Sequence, residues 1–313
     1  MKTNKFSITI GIIVYNREKQ IIDCIKSALN QTINIDEILI INDGSNDKTL
    51  QNIRGLKNSN IILITNKINK GIPYSRNKII SEAKGDLIFF FDSDDISLEN
   101  RVQVQYDILT NNNTKIANNI FCYTSRLIVK SGRKKNTLLG ISPDELLSSK
   151  LSSKVSYYLL GVFFHKKLFG STATCTLAAS KKRLISLNGF DENFSRSEDT
   201  EIAVRHSLNG GLFTSSSKNL VIQNITKKGY NVHLTELKYH ISLIQKYSNI
   251  LSYKQIVFAT NWEFFKTVFF SKNFILSLYL FCFLFFMSPI LFIRKVINGL
   301  SFFSSTKHIN RTP

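Results

Sequence analysis

Three aspartates close the stretch GDLIFFFDSDD: Asp92, Asp94 and Asp95 follow the apolar run Leu87 to Phe91, with only Ser93 among them. Carboxylates two residues apart, as at Asp92 and Asp94, can turn oxygens toward one hard cation. Mg²⁺ and Mn²⁺ take oxygen ligands and leave positions open for substrate phosphates. A cation held that way neutralises a diphosphate and makes it a better leaving group. The competing reading is a solvated turn or a helix N-cap, where Asp is common for backbone reasons alone. Similar groups recur elsewhere. Asp43 ends EILIIND, and Tyr15 and Asn16 end SITIGIIVYN. Glu198 and Asp199 follow Ser197 in SRSEDTEIAVRHSLNGG, which reads as a loop entering a helix. Ser197 is the expected N-cap and Gly210-Gly211 the stop signal. Acids in a first helical turn are also favoured simply by the helix dipole.

These groups need elements to hold them. SITIGIIVY, DEILIIND, NIILITN and DLIFFFD read as strands. EKQIIDCIKSALNQT has helical spacing, with Ile21, Ile22, Ile25, Ala28 and Leu29 on one face. DKTLQNIRGL and GIPYSRNKIISEAKG are the expected helices between the later strands. Short apolar strands alternating with helices indicate βαβ units and an α/β fold with a mostly parallel sheet covered on both faces. Ligands bind such sheets beyond the carboxyl ends of the strands. The three clusters after the first, second and fourth strands should therefore crowd one edge, which a solvated-loop reading explains poorly. From about residue 116 the pattern is less regular. It holds a strand-like IFCYTSRLIVKSG, a helix-like SPDELLSSKL and a Thr/Ala-rich GSTATCTLAAS.

With 41 Lys+Arg against 22 Asp+Glu, the 313-residue chain carries a net charge of +19. That favours anionic partners such as a phosphorylated ligand, nucleic acid or an anionic membrane face. Richness in Lys, Asn and Ile also matches an AT-rich coding sequence. The cysteines, Cys24, Cys122, Cys175 and Cys282, form no C-x-x-C pair, so neither zinc nor a disulfide framework is indicated. The N-terminal MKTNKFSITIGIIVYN has Lys2 and Lys5 before apolar residues, yet Ser7, Thr9 and Gly11 interrupt the run. It is read as a strand and not a signal peptide. Residues 273–293 carry no charge and are almost wholly apolar, long enough to cross a bilayer. Lysines 254, 266 and 272 precede this segment, while Arg294, Lys295, Lys307 and Arg311 follow it. Basic residues on both sides, with Pro289 as a break, favour a monotopic or re-entrant helix over a span.

The series IIVYNRE, EILIINDGSNDKT, NKGIPYSRNKII, GDLIFFFDSDD and GFDENFSRSEDTEIAVR resembles the family 2 glycosyltransferases, over roughly residues 6 to 225. The resemblance implies the inverting GT-A fold. It divides the chain into a nucleotide-sugar half (1–115) and an acceptor half of the same domain (116–235); residues 236–313 lie outside it and read as a C-terminal helical, membrane-associated extension. It implies Tyr15, Asn16, Asp43, Arg76, Asn77 and Asp92 for the nucleotide, with Asp43 at the uracil ring and Asp92 near the ribose. Asp94, with Asp92, would hold Mn²⁺ or Mg²⁺, and Asp95 would support them. Asp199 would be the general base, with Glu198 and Asp191 near the acceptor. The implied reaction moves one sugar from a nucleotide-diphosphate sugar, a UDP-sugar by the Asp43 match, to a glycan or lipid-linked hydroxyl. It would take place at the cytoplasmic face of the inner or plasma membrane, in lipopolysaccharide, capsule or exopolysaccharide synthesis. GDP and dTDP donors fit the same motifs. The Q-x-x-R-W element of processive synthases is not found; the single tryptophan is Trp262. A nucleotidyltransferase would want a glycine-rich phosphate loop where VYNREKQ has none. A catalytically weak nucleotide-binding scaffold would be expected to lose Asp94 or Asp199. No nucleic-acid partner is expected.

Overall fold

The computed structural model describes residues 6–111, 114–130, 133–224 and 230–297. Lys2, Lys5, Lys307 and Arg311 lie outside them. The first elements are β1 (Ile8–Val14), α1 (Ile21–Leu29), β2 (Glu37–Asn42), α2 (Thr49–Arg54), β3 (Ile61–Thr65), α3 (Ile72–Glu82) and β4 (Leu87–Asp92). Next come β5 (Asp95–Ser97), α4 (Arg101–Thr110), α5 (Thr114–Ala117), β6 (Ile120–Lys130), β7 (Arg133–Leu138), α6 (Ser149–Ser152) and α7 (Val155–Leu159). The chain continues through β8 (Ala178–Ser180), α8 (Lys181–Ser186), α9 (Glu198–Leu208) and β9 (Leu212–Asn224). Four helices follow: α10 (Tyr230–Lys246), α11 (Tyr253–Phe270), α12 (Phe274–Met287) and α13 (Pro289–Ile297).

Strands β1 to β4 are mutually parallel, in the order β3-β2-β1-β4. Successive residues of a strand point to opposite faces, and here both faces are covered. Ile10, Ile12, Ile38, Ile40, Phe89 and Phe91 pack with α1 and α4 on one side. Leu39, Ile41, Ile88 and Phe90 pack with α3, α8 and α9 on the other. That is why the strands read as unbroken apolar runs. Gly11 lets α3 close on β1, because a Cβ there would lie 2.5 Å from Ile79 Cγ2. The register sets Val14 opposite Asn42 and Ile13 opposite Asp92. Tyr15, Asp43 and the Asp92–Asp95 turn thus come to one edge, at the point where strand order reverses about β1.

The sheet runs on from β4 through β8, β6 and β9 to β5. Only Ser93 and Asp94 separate β4 from β5 in sequence, yet three strands lie between them in the sheet. The two can meet only if that part of the sheet curls back, so the acidic turn is the seam of the curl. Arg101 braces it from below. It is buried, donates to Phe90 O (2.8 Å) and Ser97 Oγ (2.8 Å), and lies 4.3 Å above the Phe91 ring.

Two expectations need correction. SPDELLSSKL is mainly extended loop, with helix only from Ser149. Ser142 and Asp144 take positive φ, and the backbone N–H groups of Asp144 and Leu147 donate to Ser215 O and Phe213 O of β9. Pairing with that strand overrides the local helical pattern. Ser197 precedes α9 as expected, but it is left-handed (φ 62°) and its side chain caps nothing.

The C-terminal helices pack on the body and on one another. Leu243 and Ile244 of α10 pack with Leu160, Phe194 and Val204. Phe258, Leu284 and Phe292 tie α11, α12 and α13 together. Lys295 Nζ lies 5.0 Å from the Phe164 ring and 5.6 Å from that of Trp262, joining α13 to the body. Among the described residues no single helix is long and apolar enough to cross a membrane; α12 and α13 qualify only as a pair, bent by 117° at the break before Pro289.

Candidate active site

Arg76 lies at the centre of the edge where the strand ends converge. It is buried on α3, with Nη2 3.2 Å from Asp92 Oδ1 and Nη1 2.7 Å from Glu198 Oε1. Its guanidinium also faces the Phe190 ring at 5.4 Å. Burial works to lower its pKa, but Asp92, Glu198 and Asp199 outweigh that and hold it above the ordinary value. One side chain thus joins the end of β4 to the start of α9, and so the two halves of the site. Glu198 turns inward to this arginine. Burial pushes its carboxyl up and the neighbouring Asp199 adds to that, with Arg76 opposing. Asp199 is half-buried, and its Oδ1 accepts from Thr200 N at 2.7 Å. Among the described residues no hydrogen bond reaches its Oδ2.

The acidic turn divides its three carboxylates. Asp92 faces Arg76. Asp94 faces Arg17, whose Nη2 lies 3.3 Å from its Oδ2. Burial and then Asp92 raise the Asp94 carboxyl, against Arg17. Asp95 is buried opposite Gln223 of β9, and among the described residues its Oδ2 has no hydrogen-bond partner. Burial, then Asp92 and Asp94, push it up to about 8. Asp92, Asp95 and Cys175 offer ligand atoms within 4.8 Å of one another. Burial holds the Cys175 thiol well above its usual range, so it keeps its proton and contributes little to a hard cation. Asp92 and the Asp95 oxygen fit such a cation, while Asp94, expected as its ligand, is turned to Arg17 and lies outside this group.

The remaining expected residues have partners of their own. Asp43 is buried, and its carboxylate accepts from Asn66 Nδ2 (2.8 Å), Lys70 N (2.9 Å) and Gly71 N (2.8 Å), so it anchors the loop before α3. Asn16 takes a left-handed φ of 50° and clips to the loop after β2 through Ser45 Oγ and Asn46 N. Tyr15 beside it is 42% exposed, a ring open to a ligand at the sheet edge. Asn77 is turned to the loop before α9: it accepts from Phe190 N (2.7 Å) and donates to Phe190 O (2.9 Å). Gly189 makes room for this clip, since a Cβ there would lie 2.4 Å from Asn77 Oδ1. Asp191 is taken by Lys246 of α10 at 2.6 Å, which holds its carboxyl low although burial opposes the shift.

Sequence reasoning missed Arg17, Arg101 and Lys246. Arg17 was within reach, as a lone cation in VYNRE at a strand end beside acids. Lys246 had no local signal, because its partners Asp191 and Glu201 stand far from it in sequence.

Residues 9–162 match the family described as Glycosyl transferase family 2. A UDP-Glc:alpha-D-GlcNAc-diphosphoundecaprenol beta-1,3-glucosyltransferase, WfgD of Escherichia coli, is 30% identical over 165 residues, covering 52% of this chain and 62% of WfgD. The chain thus spans less than two thirds of that relative's length. A cholesterol galactosyltransferase of Borreliella burgdorferi is 27% identical over 277 residues, covering 78% of this chain and 76% of that protein. Among solved structures, S. aureus TarS 1-349 in complex with UDP superposes with a TM-score of 0.57 at 18% identity, covering 85% of this chain and 73% of that one. That likeness is one of fold, and the fold is GT-A.

Proposed function

The chain belongs to the family 2 glycosyltransferases through residues 9–162, and from that premise we propose that it transfers one sugar from a UDP-sugar to a hydroxyl of a lipid-linked or surface-glycan acceptor. The observation that carries this reading is the Arg76 bridge between Asp92 and Glu198. It brings the donor-side acids and the first turn of α9 to one point. The relatives support the substrate classes, since WfgD is named for a UDP-sugar donor and a diphosphoundecaprenol acceptor.

The reaction is one in-line displacement. Asp199 Oδ2 accepts the proton of the acceptor hydroxyl as that oxygen bonds to the anomeric carbon. The bond from that carbon to the diphosphate breaks, and the electron pair leaves with UDP. The carbon passes through oxocarbenium character. Asp92 and Asp94 would hold a divalent cation, with Asp95 beside them, and that cation would supply Lewis-acid neutralisation of the leaving diphosphate. Arg76 holds Asp92 and Glu198 in place, and Tyr15 and the Asp43-anchored loop frame the base. The exposed apolar face of α12 and α13 seats the enzyme on the cytoplasmic leaflet, where a lipid-linked acceptor would present its sugar.

The test is thermal stabilisation of the detergent-solubilised chain by UDP, GDP, dTDP or CMP, with and without Mn²⁺, followed by transfer to a lipid-linked acceptor. UDP with Mn²⁺ should stabilise the wild type and not Asp94→Ala. Asp199→Asn should bind UDP as the wild type does and lose at least about 10²-fold in transfer, the lower end of what a general base contributes. Full turnover by Asp199→Asn would remove that residue from the role. No stabilisation by any nucleotide would overturn the donor-site reading, while stabilisation without transfer would favour a nucleotide-binding scaffold.

A further inference from the structure

Arg17 is the one cation that crosses the edge of the sheet to the D-x-D turn from the opposite loop, among the described residues. Its root is fixed on both sides. The backbone N–H donates to Thr49 Oγ1 at 2.8 Å, and the carbonyl accepts from Gln20 N (3.1 Å) and Ile21 N (3.0 Å). The left-handed turn at Asn16 aims the residue back over the strand ends. Its side chain is less tightly held. Nη1 makes a 3.3 Å bond to Asn16 O, Nη2 meets Asp94 Oδ2 at 3.3 Å, and both members of that pair are more than a third exposed. A fixed backbone, a partly exposed side chain and a partly exposed partner describe a group that can change partners.

Asp94 is the carboxylate that the reading above gives to the cation. A guanidinium beside it repels a cation and competes for the same oxygen. A nucleoside diphosphate bound at that cation brings anionic oxygens to the mouth between β1 and β4, within the sweep of a side chain rooted after β1. Guanidinium and phosphate make strong charge-assisted hydrogen bonds, often bidentate.

We propose that Arg17 is an exchange residue of the donor site: it pairs with Asp94 while the site is empty, yields that carboxylate when a divalent cation and a nucleoside diphosphate enter together, and then binds the diphosphate. Entry of the cation alone is thereby opposed and entry with the nucleotide favoured, so the two bind cooperatively. The inference rests on the proposed transferase site and adds to it a residue, a partner exchange and an order of preference.

The test is titration calorimetry on the detergent-solubilised full chain, wild type and Arg17→Ala, with Mn²⁺ alone, UDP plus Mn²⁺, and uridine. Arg17→Ala should bind Mn²⁺ alone about two- to five-fold more tightly, the scale of an exposed ion pair removed from competition. It should bind UDP with Mn²⁺ at least about tenfold more weakly, for want of a charge-assisted phosphate contact. Uridine, which has no phosphate, should bind both proteins alike. Arg17→Gln guards against a folding defect and should follow Arg17→Ala, while Arg17→Lys should fall between Ala and wild type for UDP. A substitution that leaves UDP affinity unchanged, or that weakens Mn²⁺ alone, overturns the exchange. A wild type that binds no UDP with Mn²⁺ overturns the site reading itself, so the two failures are told apart.

Discussion

At the residue scale, the site depends on a charge balance that Arg76 settles. Asp92, Glu198 and Asp199 converge, and one planar cation reaches two of them with separate nitrogens. A lysine there would have a single nitrogen and lack the planar fork that sets one donor nitrogen on each carboxylate. Arg76→Lys should therefore fold, because the charge is kept, and yet leave either Asp92 or Glu198 without its partner. The first turn of α9 would then relax, and misplacement near 1 Å can cost about 10²-fold in rate. The expected outcome is a transfer rate at least about tenfold below wild type, with UDP affinity changed much less. A wild-type rate in Arg76→Lys would show that the bridge does not position the base.

At the element scale, α9 carries the proposed base and α10 holds α9. Glu201 is wholly buried one helical turn after Ser197, and it accepts from Lys246 Nζ (2.6 Å), Tyr247 Oη (2.7 Å) and Arg205. Lys246 also reaches Asp191 in the loop before α9, and Ser195 in that loop meets Tyr239 of α10. Helix α10 is therefore a strut for α9 and the loop before it. Lys246→Met should cost about 1–3 kcal/mol in urea unfolding, since it removes charge-assisted bonds and leaves Asp191 and Glu201 short of a donor. It should also raise the acceptor KM more than the donor KM. Lys246→Arg should recover part of both. Unchanged stability with an unchanged acceptor KM would mean that the strut is idle. None of this was legible in the sequence, where Asp191 read as an acceptor ligand and Lys246 as one lysine among many.

At the scale of the whole molecule, the apolar surface gathers at one end. Ile275 is 87% and Phe286 79% exposed, and Phe274, Leu278, Tyr279 and Ile290 are exposed with them. Exposed apolar area of this kind is unusual on a soluble monomer and marks an interaction face. Burying it in a bilayer, with net charge +19 drawing the chain to anionic lipid, gives a concrete expectation. The wild-type chain should co-sediment with phosphatidylglycerol vesicles, and Ile275→Ser combined with Phe286→Ser should reduce the bound fraction at least about tenfold, since each buried side chain contributes about 1.5–3 kcal/mol. Recovery of the wild type in the supernatant would remove the membrane from the reading.

The sequence by itself determined the four parallel strands, the helices between them and the edge where their acids meet. Apolar runs, helical spacing and polar strand ends are local patterns, and covering both faces of a parallel sheet leaves little choice of architecture. It also placed the break in the apolar tail at Pro289, because proline cannot continue the hydrogen-bonding of a helix. Tertiary structure alone decided the partners. SPDELLSSKL became a loop because β9 offered its backbone carbonyls. Asp94 met Arg17, Asp43 took up the loop before α3, and Lys246 reached Asp191 and Glu201. Each of these pairs joins groups distant in the chain, and only the side-by-side alignment of the parallel strands and the packing of the last helices bring them within bonding range.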